Sequence, residues 1–302
     1  MTRLFRLRRS ELSTPGTSLK MMEKAAASSA DLVFLDLEDA VAPQDKPGAR
    51  PIIVEGLNTL DWGTKTRAVR INGTHTPWCY QDLQEVVTGA GKNLDVIIIP
   101  KVKAKRDIWF VDTLLSQLEM TLGLELGRIG IEILIEETEA LARVEDLAEC
   151  CPRLEALILG VGDLSASQGM RLGHIGVANG KYPGDVWHYA RTRLIVAARA
   201  NGLDAIDGPF GDFKDSDGYR QEAAWATTLG AVGKWCIHPS QIEVANDVFS
   251  PSEREIAQAK KALDAVYAAS GAAANMGGVM VDAATARIFE VVLERARLTG
   301  KA

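Results

Sequence analysis

Residues Val33–Val41 read VFLDLEDAV. Apolar positions run in strand fashion into Glu38 and Asp39, and the chain then turns. A buried strand that ends on adjacent carboxylates calls for a reason, and the rest of the chain repeats the arrangement. Short apolar runs occur at LRRSELSTPG (7–16), LVFLDLED (32–39), RAVRIN (67–72), LDVIIIPKV (94–102), IGIEILIEE (129–137), ALILGVGD (156–163), DAIDGPF (204–210) and KWCIHP (234–239). Between them lie segments of helical character such as SLKMMEKAAASSA, RDIWFVDTLLSQLEM, TEALARVEDLAECC and VWHYARTRLIVAARANG.

Strand–helix alternation predicts a parallel sheet. Eight units in roughly 240 residues predict a closed (β/α)8 TIM barrel, spanning 1–245. An open doubly wound sheet is the competitor, but no GxGxxG follows the first strand. The remainder, 246–302, reads as a C-terminal helical extension. SPSEREIAQAKKALDAVYAA opens a helix with Ser252 and Glu255 in capping-box spacing. SGAAANMGG (270–278) is small and expected to be mobile, and VDAATARIFEVVLERARL supplies a second helix. Such an appendage is read as a lid or an oligomer contact.

At 302 residues, with 47% hydrophobic residues and a net charge of −6, the chain has ample core and no electrostatic reason to bind nucleic acid. No apolar run reaches the ~18 residues of a membrane span. The start, MTRLFRLRRS, lacks the apolar core of a signal peptide. Cys79, Cys150, Cys151 and Cys236 form no CxxC pair. A cytoplasmic protein with reduced thiols is therefore the expectation.

Polar residues stand where the strands end: Glu38, Asp39, Asn72, Lys101, Glu136, Asp163, Asp207 and His238. A barrel opens all such ends onto one rim, where its active site is built. Glu136 and Asp163 end consecutive strands, so they are either two ligands of a Mg²⁺ ion or solvated loop acids. Arg70, in VRING, either grips a carboxylate or oxyanion or forms a structural ion pair with Glu38 and Asp39. His238 is a general base or a structural hydrogen-bonding group. Lys101 is a Schiff-base former or the partner of a rim acid. The arginines of VWHYARTRLIVAARA are expected to face solvent.

RSELSTPG, EKAAASSADLVFLDLEDAVAP, VRINGTHTPW, IIIPKV, GVGDLSAS, GLDAIDGPFGDF and GKWCIHPSQIEVANDVFSPSE together resemble the citrate lyase β-subunit-like (HpcH/HpaI aldolase) family. Within it, the likeness is to malyl-CoA/β-methylmalyl-CoA lyases, from about Arg9 to the C-terminal helix. The resemblance implies a (β/α)8 barrel whose C-terminal extension caps a neighbouring subunit in a homotrimer or hexamer. It implies cleavage of a 3-hydroxyacyl-CoA to acetyl- or propionyl-CoA and glyoxylate, with Mg²⁺ as cofactor and Mn²⁺ as a substitute. The metal carboxylates fall on Glu136 and Asp163, the substrate-gripping arginine on Arg70, and the lid aspartate on Asp282. Glu38 and Asp39 would position Arg70.

The sequence departs from the family pattern in three places. Ser18 stands where relatives often carry an arginine that grips the CoA phosphates, a task left to Lys20 and Lys24. Glu137 replaces a threonine after the metal glutamate, and the loop Ser165–Asp185 is shorter than usual. Citramalyl-CoA cleavage, a malyl-CoA thioesterase and a citrate-lyase β-chain-like subunit are the alternatives that the same resemblance carries.

Overall fold

Leu32–Asp36 is buried at all five positions, on both faces of the strand. That pattern belongs to a parallel strand packed between an interior and a layer of helices. In a computed structural model, which describes residues 6–174, 177–178, 182, 184–268, 273–276 and 279–301, each of the eight apolar runs forms one strand. These are β1 (Ser10–Pro15), β2 (Leu32–Asp36), β3 (Thr66–Arg70), β4 (Val96–Ile99), β5 (Gly130–Ile135), β6 (Leu154–Leu159), β7 (Asp204–Asp207) and β8 (Gly233–Cys236). Each pairs in parallel with its sequence neighbours, and β8 pairs with β1 to close the barrel.

The interior is filled from one parity of strands β2 to β8. Leu32 and Phe34, Ala68, Val96 and Ile98, Leu134, Ala156 and Ile158, Ile206 and Trp235 form one buried cluster. The Phe34 and Trp235 rings lie 4.4 Å apart between centroids. The alternate positions face the helical layer, which includes Leu19–Ala26, Lys46–Thr59, Cys79–Ala90, Lys105–Leu122, His188–Ala200 and Ser216–Leu229.

TEALARVEDLAECC does not form one helix. It breaks into Thr138–Leu141 and Val144–Ala148. Arg143 leaves helical geometry, its N–H bonds Ala140 O, and its own Nε takes the Glu139 carbonyl at 3.1 Å. The guanidinium thereby satisfies the acceptor that a continuing helix would have used.

The chain divides into two compact units, Met1–Asn246 and Asp247–Ala302. In the second, Ser252 and Glu255 make the reciprocal capping bonds, Ser252 N to Glu255 Oε2 at 2.8 Å and Glu255 N to Ser252 Oγ at 3.3 Å. Helices Glu253–Ala268 and Ala283–Leu298 pack through a small core that includes Leu263, Val266 and Val281. Of the Gly/Ala-rich segment, 270–272 and 277–278 lie outside the described residues, while Ala274–Met276 pairs antiparallel with Val279–Val281. Among the described residues, no helix is long and apolar enough to cross a membrane. The four cysteines are free, and burial pushes the Cys79 and Cys236 thiols up to about 12.

Candidate active site

The stretch that decided the fold also builds one wall of the barrel mouth. Asp36, at the end of β2, lies in register with Arg70 at the end of β3. Both share the inward parity of Phe34 and Ala68, so their side chains meet above the interior cluster. Arg70 Nε donates to Asp36 Oδ1 at 2.7 Å and Nη2 to Oδ2 at 2.6 Å, a bidentate pair. Each Asp36 oxygen also accepts a backbone N–H, from Glu38 and from Ala40, both at 2.9 Å. Burial alone would raise the Asp36 carboxyl, but the guanidinium and the two amides hold it below its ordinary value.

The Arg70 guanidinium lies 5.4 Å from the Trp235 ring and 5.8 Å from that of Phe34, so an aromatic floor supports it. Its Nη1 is 2.9 Å from Glu38 Oε2, while the exposed Asp39 carboxylate lies 3.8 Å away. Asp36 is thus the principal holder of Arg70, ahead of the Glu38 and Asp39 that the sequence suggests for that role. The alternation Leu32, Phe34, Asp36 was the available signal.

The opposite wall centres on Lys101. Its peptide N–H donates to Glu136 Oε1 at 2.7 Å. Its ammonium contacts Asp163 and lies 3.3 Å from Glu38 Oε1, 3.6 Å from Glu136 Oε1 and 4.0 Å from Asp39. Glu136 is 2% exposed, and burial pushes its carboxyl up to about 7 against the opposing charge of Lys101. Asp163 sits in the first turn of helix Val161–Ser167.

Gly160 makes this approach feasible. A Cβ there would lie 2.4 Å from Glu136 Cβ and 2.7 Å from its Oε2. Arg70, Glu136, Asp163 and Asp39 line a cavity of about 380 Å³, together with Ser13, Leu134, Gly160, Gly162, Pro209, Trp235 and Ile237.

Other strand-end residues take structural places. Asn72 is locked by Asp82 through its N–H at 2.9 Å and its side chain at 2.7 Å. Asp207 does not face the mouth. It has the outward parity and is buried between Arg191 Nε (2.8 Å) and Lys234 Nζ (2.6 Å). Arg191 itself, expected in solvent, is only 1% exposed, because Asp207 and Asp185 draw it inward. His238 Nδ1 accepts the Ser240 N–H and its ring stacks on Phe213 at 4.7 Å.

Ser18 caps helix Leu19–Ala26 by accepting from Met21 N at 3.3 Å, and Lys20 and Lys24 are exposed on that helix. Glu137 Oε2 accepts from Ser167 and lies 3.4 Å from Lys103. In the second unit, Asp282 caps helix Ala283–Leu298. Its Oδ1 accepts from Thr285 N at 2.9 Å and Thr285 Oγ1 at 2.8 Å, which holds its carboxyl below the ordinary value.

Among the described residues, no group of three or more His, Cys, Asp or Glu is arranged to hold a metal by itself. Glu136 and Asp163 supply two oxygen donors instead. Mg²⁺ accepts such a set, because it retains water and substrate oxygens for its other positions. That one ammonium reaches both carboxylates fits a site able to seat a cation between them.

A model of the HpcH/HpaI aldolase/citrate lyase family matches residues 9–239. An L-malyl-CoA/β-methylmalyl-CoA lyase of Cereibacter sphaeroides is 42% identical over 302 residues, covering 96% of this chain and 95% of its own. A (3S)-malyl-CoA thioesterase of the same species is 36% identical over 260 residues, covering 85% of this chain and 82% of its own. Among solved structures, CitE from Mycobacterium tuberculosis in complex with magnesium, acetoacetate and coenzyme A is similar with a TM-score of 0.78 at 28% identity. That likeness covers 96% of this chain and 98% of the other.

Proposed function

The chain belongs to the HpcH/HpaI aldolase/citrate lyase family, and on that premise we propose that it is a Mg²⁺-dependent carbon–carbon lyase. Its substrate is a 3-hydroxyacyl-CoA, malyl-CoA or β-methylmalyl-CoA, and its products are acetyl- or propionyl-CoA and glyoxylate, in a reversible retro-Claisen reaction. The observation that carries this reading is the placement of Arg70. A guanidinium fixed by Asp36 shares one 380 Å³ cavity with Glu136 and Asp163. A cavity of that size suits the small acyl portion and leaves the CoA outside.

Glu136 and Asp163 would hold the metal. When bound, Mg²⁺ supplies Lewis-acid polarisation of the substrate's hydroxyl and carboxylate oxygens. In cleavage the hydroxyl proton passes to the Asp282 carboxylate, which later returns it to the enolate carbon, the C–O bond becomes a carbonyl, and the electrons of the breaking C–C bond move onto the thioester as an enolate. Arg70 stabilises the negative charge on the thioester oxygen, and loss of such a donor costs ~10²–10³ in rate. Asp36, with Glu38 and Asp39, keeps the guanidinium aimed. Asp282, delivered from the neighbouring subunit of a trimer or hexamer, exchanges the proton at the enolate carbon. Its helix-capping bonds favour the carboxylate, which is the form that removes this proton in the condensation direction. Lys20 and Lys24 take the CoA phosphates in place of an arginine at Ser18.

The test is a panel of malyl-, β-methylmalyl- and citramalyl-CoA incubated with the purified chain, with products identified in Mg²⁺ and in EDTA. Glyoxylate and an acyl-CoA, formed only with the metal and lost in Glu136→Gln, are the expected result. Full turnover in EDTA refutes the metal assignment. Release of free malate with CoA supports the thioesterase reading, which the 36% identical relative motivates. Activity only with added partner chains supports the subunit reading.

A further inference from the structure

Lys101 is the only non-glycine residue with positive φ among the described residues, at φ 53. Side chains other than glycine avoid this region, and where one occupies it the surroundings hold it there. Here the turn after β4 aims the Lys101 peptide N–H at Glu136 Oε1 at 2.7 Å. The same turn brings the ammonium to Asp163 and within 3.6 Å of that same Glu136 oxygen. Backbone and side chain converge on the carboxylate pair from one residue.

We propose that Lys101 is a built-in counter-cation of the Glu136–Asp163 pair, one that must leave it for Mg²⁺ to enter. This rests on the metal assignment of the proposed function and adds to it a competitor supplied by the chain itself. Among the described residues, five carboxylates meet at the mouth, on Asp36, Glu38, Asp39, Glu136 and Asp163, with Arg70 and Lys101 paired to them and Lys46 on the Glu38 carbonyl behind, so negative charge is in excess. Without a cation between them, Glu136 and Asp163 repel each other and Glu38. The ammonium removes that repulsion in the metal-free protein.

Mg²⁺ binds carboxylate oxygens at about 2.0–2.1 Å. An ammonium left on the same oxygens would then sit in near contact with a second positive centre, which is repulsive at any protein dielectric. Glu38 Oε1, 3.3 Å from Lys101 Nζ and belonging to a largely buried side chain, is the acceptor that receives the displaced ammonium. Its other oxygen already pairs with Arg70. Lys101 is thus a positioning residue, setting how tightly the metal is held and keeping the donors together without it.

Titration calorimetry of MgCl₂ into the EDTA-stripped full-length protein reads this directly, with a thermal scan of the stripped protein beside it. Lys101→Met is expected to lower the Kd for Mg²⁺ by about tenfold, about 1.4 kcal/mol. It should also lower the melting temperature of the metal-free form more than that of the Mg²⁺-saturated form. Lys101→Arg, which keeps the charge, should stay within about twofold of the wild-type Kd, a difference below about 0.5 kcal/mol. Lys101→Gln carries the same expectation as Met should Met fail to fold by circular dichroism.

An unchanged or weaker Mg²⁺ affinity in a folded charge-free variant overturns the proposal while leaving the metal site standing. A wild-type protein that takes up no Mg²⁺ overturns the metal reading and this inference together. Glu136→Gln, which should abolish the binding heat, reports that the heat comes from this site.

Discussion

Replacing Asp36 with asparagine changes one atom at the base of the mouth and tests the construction of the Arg70 clamp. Each Asp36 oxygen accepts two donors, one guanidinium N–H and one backbone N–H, from Glu38 or Ala40. Asparagine keeps one acceptor oxygen and puts an amide NH₂ in place of the other, facing two donors whichever way it turns. The buried Arg70 also loses its matching charge. Removing one partner of a buried ion pair costs about 3–5 kcal/mol. At roughly 2–4 °C per kcal/mol for a chain of this size, the melting temperature should fall by roughly 6–20 °C in calorimetry.

With the guanidinium released, kcat on malyl-CoA should fall by ~10²–10³ with a smaller change in KM. The Asp36/Arg70 double variant, Asp36→Asn with Arg70→Met, should be less destabilised than the sum of the singles by roughly 0.5–3 kcal/mol. The pH dependence has a definite sign. The folded-state pKa of Asp36 is depressed, so its contribution is fully present above its unfolded pKa of ~3.9 and is lost as pH falls through the folded value. The gap between wild type and variant should therefore stay constant from pH 5 to 8. A shift under about 2 °C, the scale of a neutral surface substitution, with undiminished kcat would refute the clamp.

Glu11 predicts the opposite pH trend. It is fully buried, and burial followed by repulsion from Glu132 raises its carboxyl well above the ordinary value, so the folded state keeps a proton that the unfolded state releases above pH ~4.3. Glu11→Gln should gain on wild type by up to about 1.36 kcal/mol per pH unit as pH rises from 5, measured by urea unfolding, and a pH-independent difference would contradict this. Gly160→Ala drives a Cβ to 2.4 Å from Glu136 Cβ, with an overpacking cost of about 1–3 kcal/mol, and calorimetry should show Mg²⁺ binding weakened. Wild-type metal affinity in that variant would show that Glu136 need not stay where it is. Asp282→Asn separates capping from chemistry, because asparagine caps as well as aspartate, whereas alanine costs about 0.5–2 kcal/mol. The asparagine variant should keep its melting temperature and lose turnover, and mixed oligomers with Arg70→Ala should regain activity. Verified mixed oligomers without recovery would count against delivery from a neighbouring subunit.

The strands were legible because a barrel strand buried on both faces is a short run of apolar residues, and eight of them stand out between helices. Charge pairing was less legible because it is lateral. Asp36 and Arg70 are 34 positions apart and Lys101 and Asp163 are 62 apart, yet each pair is made by neighbouring or nearby strand ends. Arg191 reads as solvent-facing because its helix looks amphipathic by itself, whereas its partner Asp207 comes from β7 on the face the helix covers.

Strand parity separates the two kinds of strand-end acid once the interior cluster shows which alternate positions point inward. Two residues before Asp36, Arg70 and Glu136 stand Phe34, Ala68 and Leu134, all members of the interior cluster, and these three side chains reach the mouth. Two before Asp207 stands Ala205, which is not in that cluster, while its neighbour Ile206 is, and Asp207 turns away to the helices. Asp163 lies beyond the reach of the rule because β6 ends at Leu159 and the chain has already entered a helix. Asp163 lines the mouth from the first turn of that helix, and the bare backbone at Gly160 leaves Glu136 its space beside it, since a Cβ there would lie 2.4 Å from Glu136 Cβ. Strand alternation therefore sets the Arg70 wall and the place of Glu136, and a single glycine keeps that place open.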